Sequence, residues 1–216
     1  MIKQKYHRTF HLPWTQSASD DDKTLTVKEI KDNFVPMEDC FISEKRDGEN
    51  TTIGRDYSHA RSVDSKDHWS RHHIKQLTAN LSSEIPEGWR ICGENLLAVH
   101  SVKYTELDSF FEVFSIWNEH SIRLDLDETI EYCDLLGLKF VPIIARGSYK
   151  DIVTPQQIKN NFGLDLTKSE GYVIANANSY HYDDARKNMG KFVRAFHVQT
   201  DDTHWFTKAP VRNILK

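Results

Sequence analysis

Apolar strand-like runs, interspersed with a few helical stretches and lacking regular βαβ alternation, predict an α+β fold with mostly antiparallel sheets. Three observations carry this. Compact runs of β-forming residues recur along the chain, among them "DCFISEKR", "SFFEVFSIWN" and "GKFVRAFHV". About three stretches show helical periodicity or helix-end signals. An Asp47-Gly48 pair between two strand-like runs predicts a hairpin. The chain has 216 residues and is 38% hydrophobic, enough for one well-formed core. No linker rich in Pro, Gly or Ser divides it, so a single domain over 1–216 is expected, with an N-terminal arm to about residue 33 and a short C-terminal tail, "DDTHWFTKAPVRNILK".

The elements follow in order. The opening segment is polar, and its acidic run Asp20–Asp22 reads as a solvated loop or helix start. "DCFISEKR" and "NTTIGRD" read as two strands about the Asp47-Gly48 turn, and "HARSV" as a third. In "DHWSRHHIKQLTANL", Trp69, His73 or His72, Leu77 and Leu81 recur at roughly helical spacing, giving an amphipathic helix. "EGWRICGENLLAV" is β-rich around Gly93, and "SFFEVFSIWN" is an aromatic strand expected at the centre of a sheet. "IRLDLDETIEYCDLLGLKFVPII" reads as strand, helix and strand, with Asp125 or Asp127 near the helix start and Gly137 at its end. Pro155 opens another short helix in "TPQQIKNNFG". "SEGYVIANANS" and "GKFVRAFHV" close the strand set.

Composition excludes some classes. No apolar run is long enough to span a bilayer, and "MIKQKYHRTFHLPW" lacks the apolar core of a signal peptide. Cys40, Cys92 and Cys133 are odd in number and match no zinc or redox spacing, which points to buried thiols in a reducing, cytoplasmic setting. His72-His73 has no Cys or third His spaced for zinc, and His11, His100 and His197 read as packing or solvated residues. The net charge of −4 gives no global field for a polyanion. Positive charge is local instead: "RHHIK", Arg55, Arg61 and "KNMGKFVRAFH".

Four strands end on charges that core patterning does not require. Lys45 closes the first strand, Glu94 follows Gly93, Glu170 precedes "GYVIA", and Lys191 opens "FVRAF". Were these strands to share a cleft, they would line it with both signs of charge. Their order also carries a resemblance. "EKRDGEN" resembles the Lys-x-Asp-Gly motif of the covalent nucleotidyltransferases, and Asn50 makes it most similar to the RNA ligases. "CGEN", "FEVFSIWN", "EGYV" and "KFVR" resemble their later motifs, in family order. "RTFHLPW", "HARSVDS" and "HVQTDDTHW" are similar to phrases of a bacterial and phage subgroup. The resemblance spans Tyr6 to Trp205.

That resemblance implies a nucleotidyltransferase (adenylation) fold and an ATP-dependent RNA ligase that works through lysyl-AMP, with Mg²⁺ or Mn²⁺ as metal. Its substrate would be RNA bearing a 5′-phosphate and a 3′-hydroxyl, in RNA repair. Lys45 would be the nucleophile and must be neutral to attack, although a free lysine has a pKa of about 10.4; a nearby divalent ion, Lys191 and partial burial would lower it. Lys191 and Arg194 would face phosphate oxygens. Glu170 would hold the metal, Glu94 would accept from a ribose hydroxyl, and Phe114 would stack on adenine. Asp47 would serve the sealing step. Asn50, Arg61 and Arg55 would meet the RNA end.

The chain departs from the family pattern at two places. Ser115 stands where several RNA ligases have aspartate, and Val193 where they have a second lysine, which leaves Arg194 or Lys187 to contribute. Little sequence follows the fifth motif, so no OB-fold is expected, which weakens DNA-ligase and capping readings. Two alternatives stay open: a minimal ligase of DNA or hybrid nicks, and a non-catalytic protein of the same fold that binds RNA ends.

Overall fold

The computed structural model describes residues 3–15, 22–195 and 211–216. Asp20 and Asp21 of the acidic run, His197, "HVQTDDTHW" and most of the C-terminal tail lie outside the described residues. Two sheets form the framework. The first has five strands in the order β1 (Phe10–His11), β12 (Met189–Val193), β10 (Gly171–Asn176), β2 (Cys40–Lys45) and β9 (Ile143–Gly147). The second has seven. Six run in the order β11 (Tyr180–His181), β7 (Ile122–Arg123), β6 (Phe111–Trp117), β5 (Arg90–Asn95), β3 (Glu49–Gly54) and β4 (Tyr57–Ala60), and β8 (Lys139–Phe140) pairs with β6. Among the described residues the pairings between these strands are antiparallel except β1 with β12 and β6 with β8. The α+β architecture is as the sequence predicts.

The predicted hairpin at Asp47-Gly48 does not form. β2 pairs with β10 and β9, whereas β3 pairs with β4 and β5, so the chain crosses from one sheet to the other at Arg46–Gly48. Local turn chemistry suggested a hairpin, but β10 and β9, far along the sequence, claim the first strand, and the second pairs with β4 and β5 instead. The true hairpin is β3–β4, with Gly54 opposite Tyr57 across the two-residue turn Arg55-Asp56.

Strand alternation separates core from cleft. In β2, Cys40 and Ile42 enter a core that also holds Leu12, Leu25, Phe34, Tyr149, Tyr172 and Phe192. Phe41, Ser43 and Lys45 turn the other way, into the space between the sheets. In the second sheet Ile53, Ile91 and Val113 pack with Ile74 and Leu81 of α2 (His72–Leu81) and Cys133 of α3 (Leu126–Leu135). Each sheet thus buries one face in its own core, and the opposite faces, which hold smaller apolar clusters around Trp117 and Phe41, meet at a cleft.

The helices obey their end signals. Asp125 caps α3 in a capping box with Glu128, and Gly137 follows with φ +66°. Pro155 opens α5 (Pro155–Lys159), just after α4 (Tyr149–Ile152). The polar-looking opening segment contributes two of the most deeply buried apolar residues, Leu12 and Leu25. A capping box of Thr26 and Glu29 starts α1 (Val27–Glu29), which widens into a π turn over Ile30–Phe34. α6 (Ala185–Asn188) leads into β12. Residues 211–216 lie against the loop after β5, where buried Asn213 donates to Leu96 O at 2.8 Å. All three cysteines are free and buried. Among the described residues no helix is long and apolar enough to cross a membrane.

Candidate active site

The cleft between the sheets is lined from the first by Lys45, Val173 and Lys191, and from the second by Asn50, Glu94 and Phe114. The crossing segment that carries Lys45 is fixed at consecutive residues. Arg46 makes a two-pronged pair with Glu112 of β6, at 2.7 and 3.2 Å, and reaches Glu44 at 3.0 Å. Asp47 Oδ2 accepts from Ser101 N (2.7 Å), Ser101 Oγ (2.8 Å) and Val102 N (2.6 Å). Asp47 N donates to Tyr104 Oη at 3.0 Å, and Gly48 N to Glu94 Oε1 at 3.2 Å. A Cβ on Gly48 would lie 2.5 Å from Asn95 O, so this close approach, rather than a turn, requires glycine.

Lys45 Nζ pairs with Glu170, which immediately precedes β10. Gly171 lies opposite Lys45 in the β2–β10 register, so the two charges meet at the strand ends. Burial is the largest single influence and pulls the Lys45 pKa down, but the Glu170 and Glu94 charges, the hydrogen bond to Glu170 and the Asp47 charge act against it, and the amine is held above its ordinary value. The sequence expectation of a lysine lowered by its surroundings is therefore not met in the protein alone. Lys191 shows the opposite balance: burial, then the Lys45 charge, bring it down to about 8. Burial, with Glu170 and Asp47 adding to it, pushes Glu94 up to about 8 even against Lys45.

Asn50 stands opposite Glu94 in the β3–β5 pairing, and its Oδ1 is buried without a hydrogen-bond partner. Phe114 lines the cleft and meets Tyr6 edge-on at 5.1 Å. Arg61 lines it just beyond β4, with Nε buried and unpartnered.

Other expected residues are placed elsewhere. Asp47 is 5% exposed and anchors residues 101–102 rather than lining the cleft. Arg55 sits in the β3–β4 turn and donates to Ser82 O at 3.3 Å. Five residues of extended strand separate it from Asn50, roughly 17 Å, so Arg55 does not join the site. Ser115 is buried and accepts from Trp117 Nε1 at 3.0 Å. Lys187 pairs with Asp184 at 2.7 Å on α6 and does not line the cleft. Arg194 N donates to Glu170 O at 3.0 Å, which ties the end of β12 to the start of β10.

Sequence reasoning missed Arg123, His7 and Tyr6, all in the cleft wall. Arg123 is 1% exposed, with its guanidinium 5.5 Å from the Phe41 ring and 5.4 Å from the Tyr180 ring. An arginine between Ile122 and Leu124 in a short strand was the available signal. For the N-terminal residues, no local pattern shows that they return to the cleft.

Among the described residues no group of three or more His, Cys, Asp or Glu could hold a metal. Glu170, with Glu94 near the same lysine, offers hard carboxylate oxygen. That fits an ion held by one or two carboxylates together with substrate phosphates.

Residues 38–193 match the RNA ligase family. The chain belongs to that family. The match includes Lys45, Asn50, Glu94, Phe114, Glu170 and Lys191, the residues that meet at or beside the cleft. No curated protein matches the chain in sequence. Among solved structures, an archaeal ATP-dependent RNA ligase is similar with a TM-score of 0.60 at 15% identity, over 89% of this chain and 48% of that one. A Naegleria gruberi RNA ligase with PPi matches with a TM-score of 0.53 at 19% identity, over 75% of this chain and 53% of that one. A mutant of that ligase with AMP and Mn matches with a TM-score of 0.51 at 16% identity, over 78% and 52%. At these identities the likeness is one of fold, and this RNA ligase family member spans about half the length of the structures it matches.

Proposed function

We propose that this protein is an ATP-dependent RNA ligase that forms a lysyl-AMP intermediate on Lys45 and seals 5′-phosphate to 3′-hydroxyl RNA ends in repair. The observation that supports it most is the convergence of Lys45, Glu94, Glu170 and Lys191, from four strands or strand ends, on one cleft beside Phe114. In the first step Lys45 Nζ, having lost a proton, attacks the α-phosphorus of ATP. An N–P bond forms, and the bond to pyrophosphate breaks. In the second, an oxygen of the RNA 5′-phosphate takes the AMP and the N–P bond breaks. In the third, the 3′-hydroxyl attacks the activated phosphate and AMP leaves.

Each residue has a task in this scheme. Glu170 holds the lysine in place before nucleotide enters and is the residue that would hold Mg²⁺ or Mn²⁺, which when bound supplies charge neutralisation at phosphate. Lys191 faces the phosphate oxygens. Glu94 meets the ribose, and its raised pKa makes it a hydroxyl-bearing group at neutral pH, able to donate as well as accept. Phe114 offers a ring to adenine. Asn50 and Arg61, each with a buried unpartnered atom, receive the RNA 5′-phosphate. Membership of the bacterial and phage subgroup rests on the phrases "RTFHLPW" and "HARSVDS".

The test is incubation with α-labelled ATP or GTP, followed by a chase with 5′-phosphorylated RNA or DNA. An ATP-specific adduct that Lys45→Ala abolishes and RNA discharges supports the reading. A GTP adduct, or discharge only by DNA, replaces it.

A further inference from the structure

We infer that a second, basic hollow beside the cleft is the track for the RNA strand that carries the 5′-phosphate. Lys5, Arg8, Arg61 and Tyr182 line it, and it shares Tyr6, His7 and Arg61 with the cleft. The inference rests on the proposed ligase reading and adds to it the surface that grips the substrate.

Three observations carry it. First, the charge is one-sided: Lys5, Arg8 and Arg61 contribute cations, and none of the described residues lining the hollow is a carboxylate. The whole chain is acidic, at −4, so a phosphate chain needs such a local concentration. One carboxylate, Asp22, acts on Arg61, yet burial and the neighbouring Arg8 still hold the Arg61 pKa down. Burial is the larger cause and the Arg8 charge the second, and an incoming phosphate offsets both.

Second, the cations sit on fixed backbone. Tyr182 Oη donates to Lys5 O at 2.7 Å, and Ser121 Oγ donates to Gln4 Oε1 at 3.2 Å. The His7 ring meets Trp117 at 5.7 Å and Tyr182 at 5.5 Å, both edge-on. The N-terminal segment is thus tied to the second sheet while the Lys5 and Arg8 side chains face solvent. Third, the hollow is continuous with the cleft through Arg61, whose buried Nε lacks a partner. A strand whose terminal phosphate lies against Arg61 passes its next linkages over Arg8 and Lys5.

The experiment titrates a short 5′-phosphorylated single-stranded RNA by fluorescence anisotropy over a salt series. Lys5→Ala with Arg8→Ala weakens binding roughly tenfold and flattens the salt slope by about 1.4, at about 0.7 for each phosphate that is no longer neutralised. Lys5→Arg with Arg8→Lys keeps the charge and retains both affinity and slope. Each single alanine change is made as well, so that a misfolded double variant leaves two independent readings. Unchanged affinity and slope in the alanine variants overturn the inference. AMP labelling of the wild-type protein is scored separately. A wild type that binds RNA through Lys5 and Arg8 but takes up no AMP loses the ligase reading and keeps the hollow.

Discussion

Lys45 and Glu170 form an ion pair where β2 and β10 end side by side, and the pair holds the lysine in its charged form. Glu170→Gln removes the largest of the charges that oppose the effect of burial on Lys45. The Lys45 pKa then falls, so the amine becomes nucleophilic at lower pH. Acylation of Lys45 by acetic anhydride, followed by mass spectrometry across pH, sets in earlier in the variant than in the wild type. Coincident profiles would show that the pair does not control the amine. Because the variant leaves a largely buried ammonium unpaired, it also loses about 3 kcal/mol of stability, read by urea denaturation.

Glu94 gives a pH dependence of stability with a defined sign. The folded carboxyl keeps its proton up to about pH 8, against an ordinary value of 4.5. Between those values the folded state binds more protons than the unfolded one, so stability falls as pH rises from about 4.5 to about 8. Glu94→Gln carries no titrating group and loses that slope. The wild type compared with the variant therefore declines across the window and levels off above it. A difference that is flat, or that rises with pH, contradicts the assignment.

The placement of these residues also shows what local sequence can and cannot convey. Lys45, Glu94, Glu170 and Lys191 each stand as a charge in a strand or at its end, and it is the order of the motifs around them, with its resemblance to the RNA ligases, that made them legible as one site. Alternation in β2 likewise assigns Cys40 and Ile42 to the core and Phe41, Ser43 and Lys45 to the opposite face. What escaped was pairing. Asp47-Gly48 carries hairpin chemistry, yet β10, 125 residues further on for the Lys45–Glu170 pair, claims the first strand. Leu12, within "TFHLPWT", and Leu25, within "KTLTVKE", lie in stretches too short and irregular for a periodicity to mark them as core. Arg55 and Arg61 look equivalent in sequence, but β4 carries the chain back to the cleft before Arg61 and leaves Arg55 at the far turn.

Asp47 is a structural anchor in this geometry, and its removal tests that role. Asp47→Ala deprives the Ser101 and Val102 N–H groups of their acceptor. Leaving buried donors unsatisfied costs about 3 kcal/mol here, at 1–3 kcal/mol for each group. Asp47→Asn keeps an oxygen in place and loses about half as much. Denaturant midpoints of the two variants measure this. Wild-type stability in Asp47→Ala would return the residue to a purely chemical role.

Gly48→Ala tests whether the crossing between the sheets depends on close backbone approach. An added Cβ meets Asn95 O at 2.5 Å, Glu94 Cγ at 3.0 Å and Leu96 Cδ2 at 3.0 Å. Side chains can shift, but Asn95 O belongs to β5 and is held by the sheet, so the crossing segment must move instead. Overpacking of this kind costs about 1–3 kcal/mol. The movement also breaks the Gly48 N to Glu94 Oε1 hydrogen bond and turns the Lys45 backbone away from the cleft. The expected result is a lowered melting temperature together with slower AMP uptake from ATP, a loss that added ATP does not restore. A variant as stable and as reactive as the wild type would show that the approach of Gly48 to β5 is not what positions Lys45.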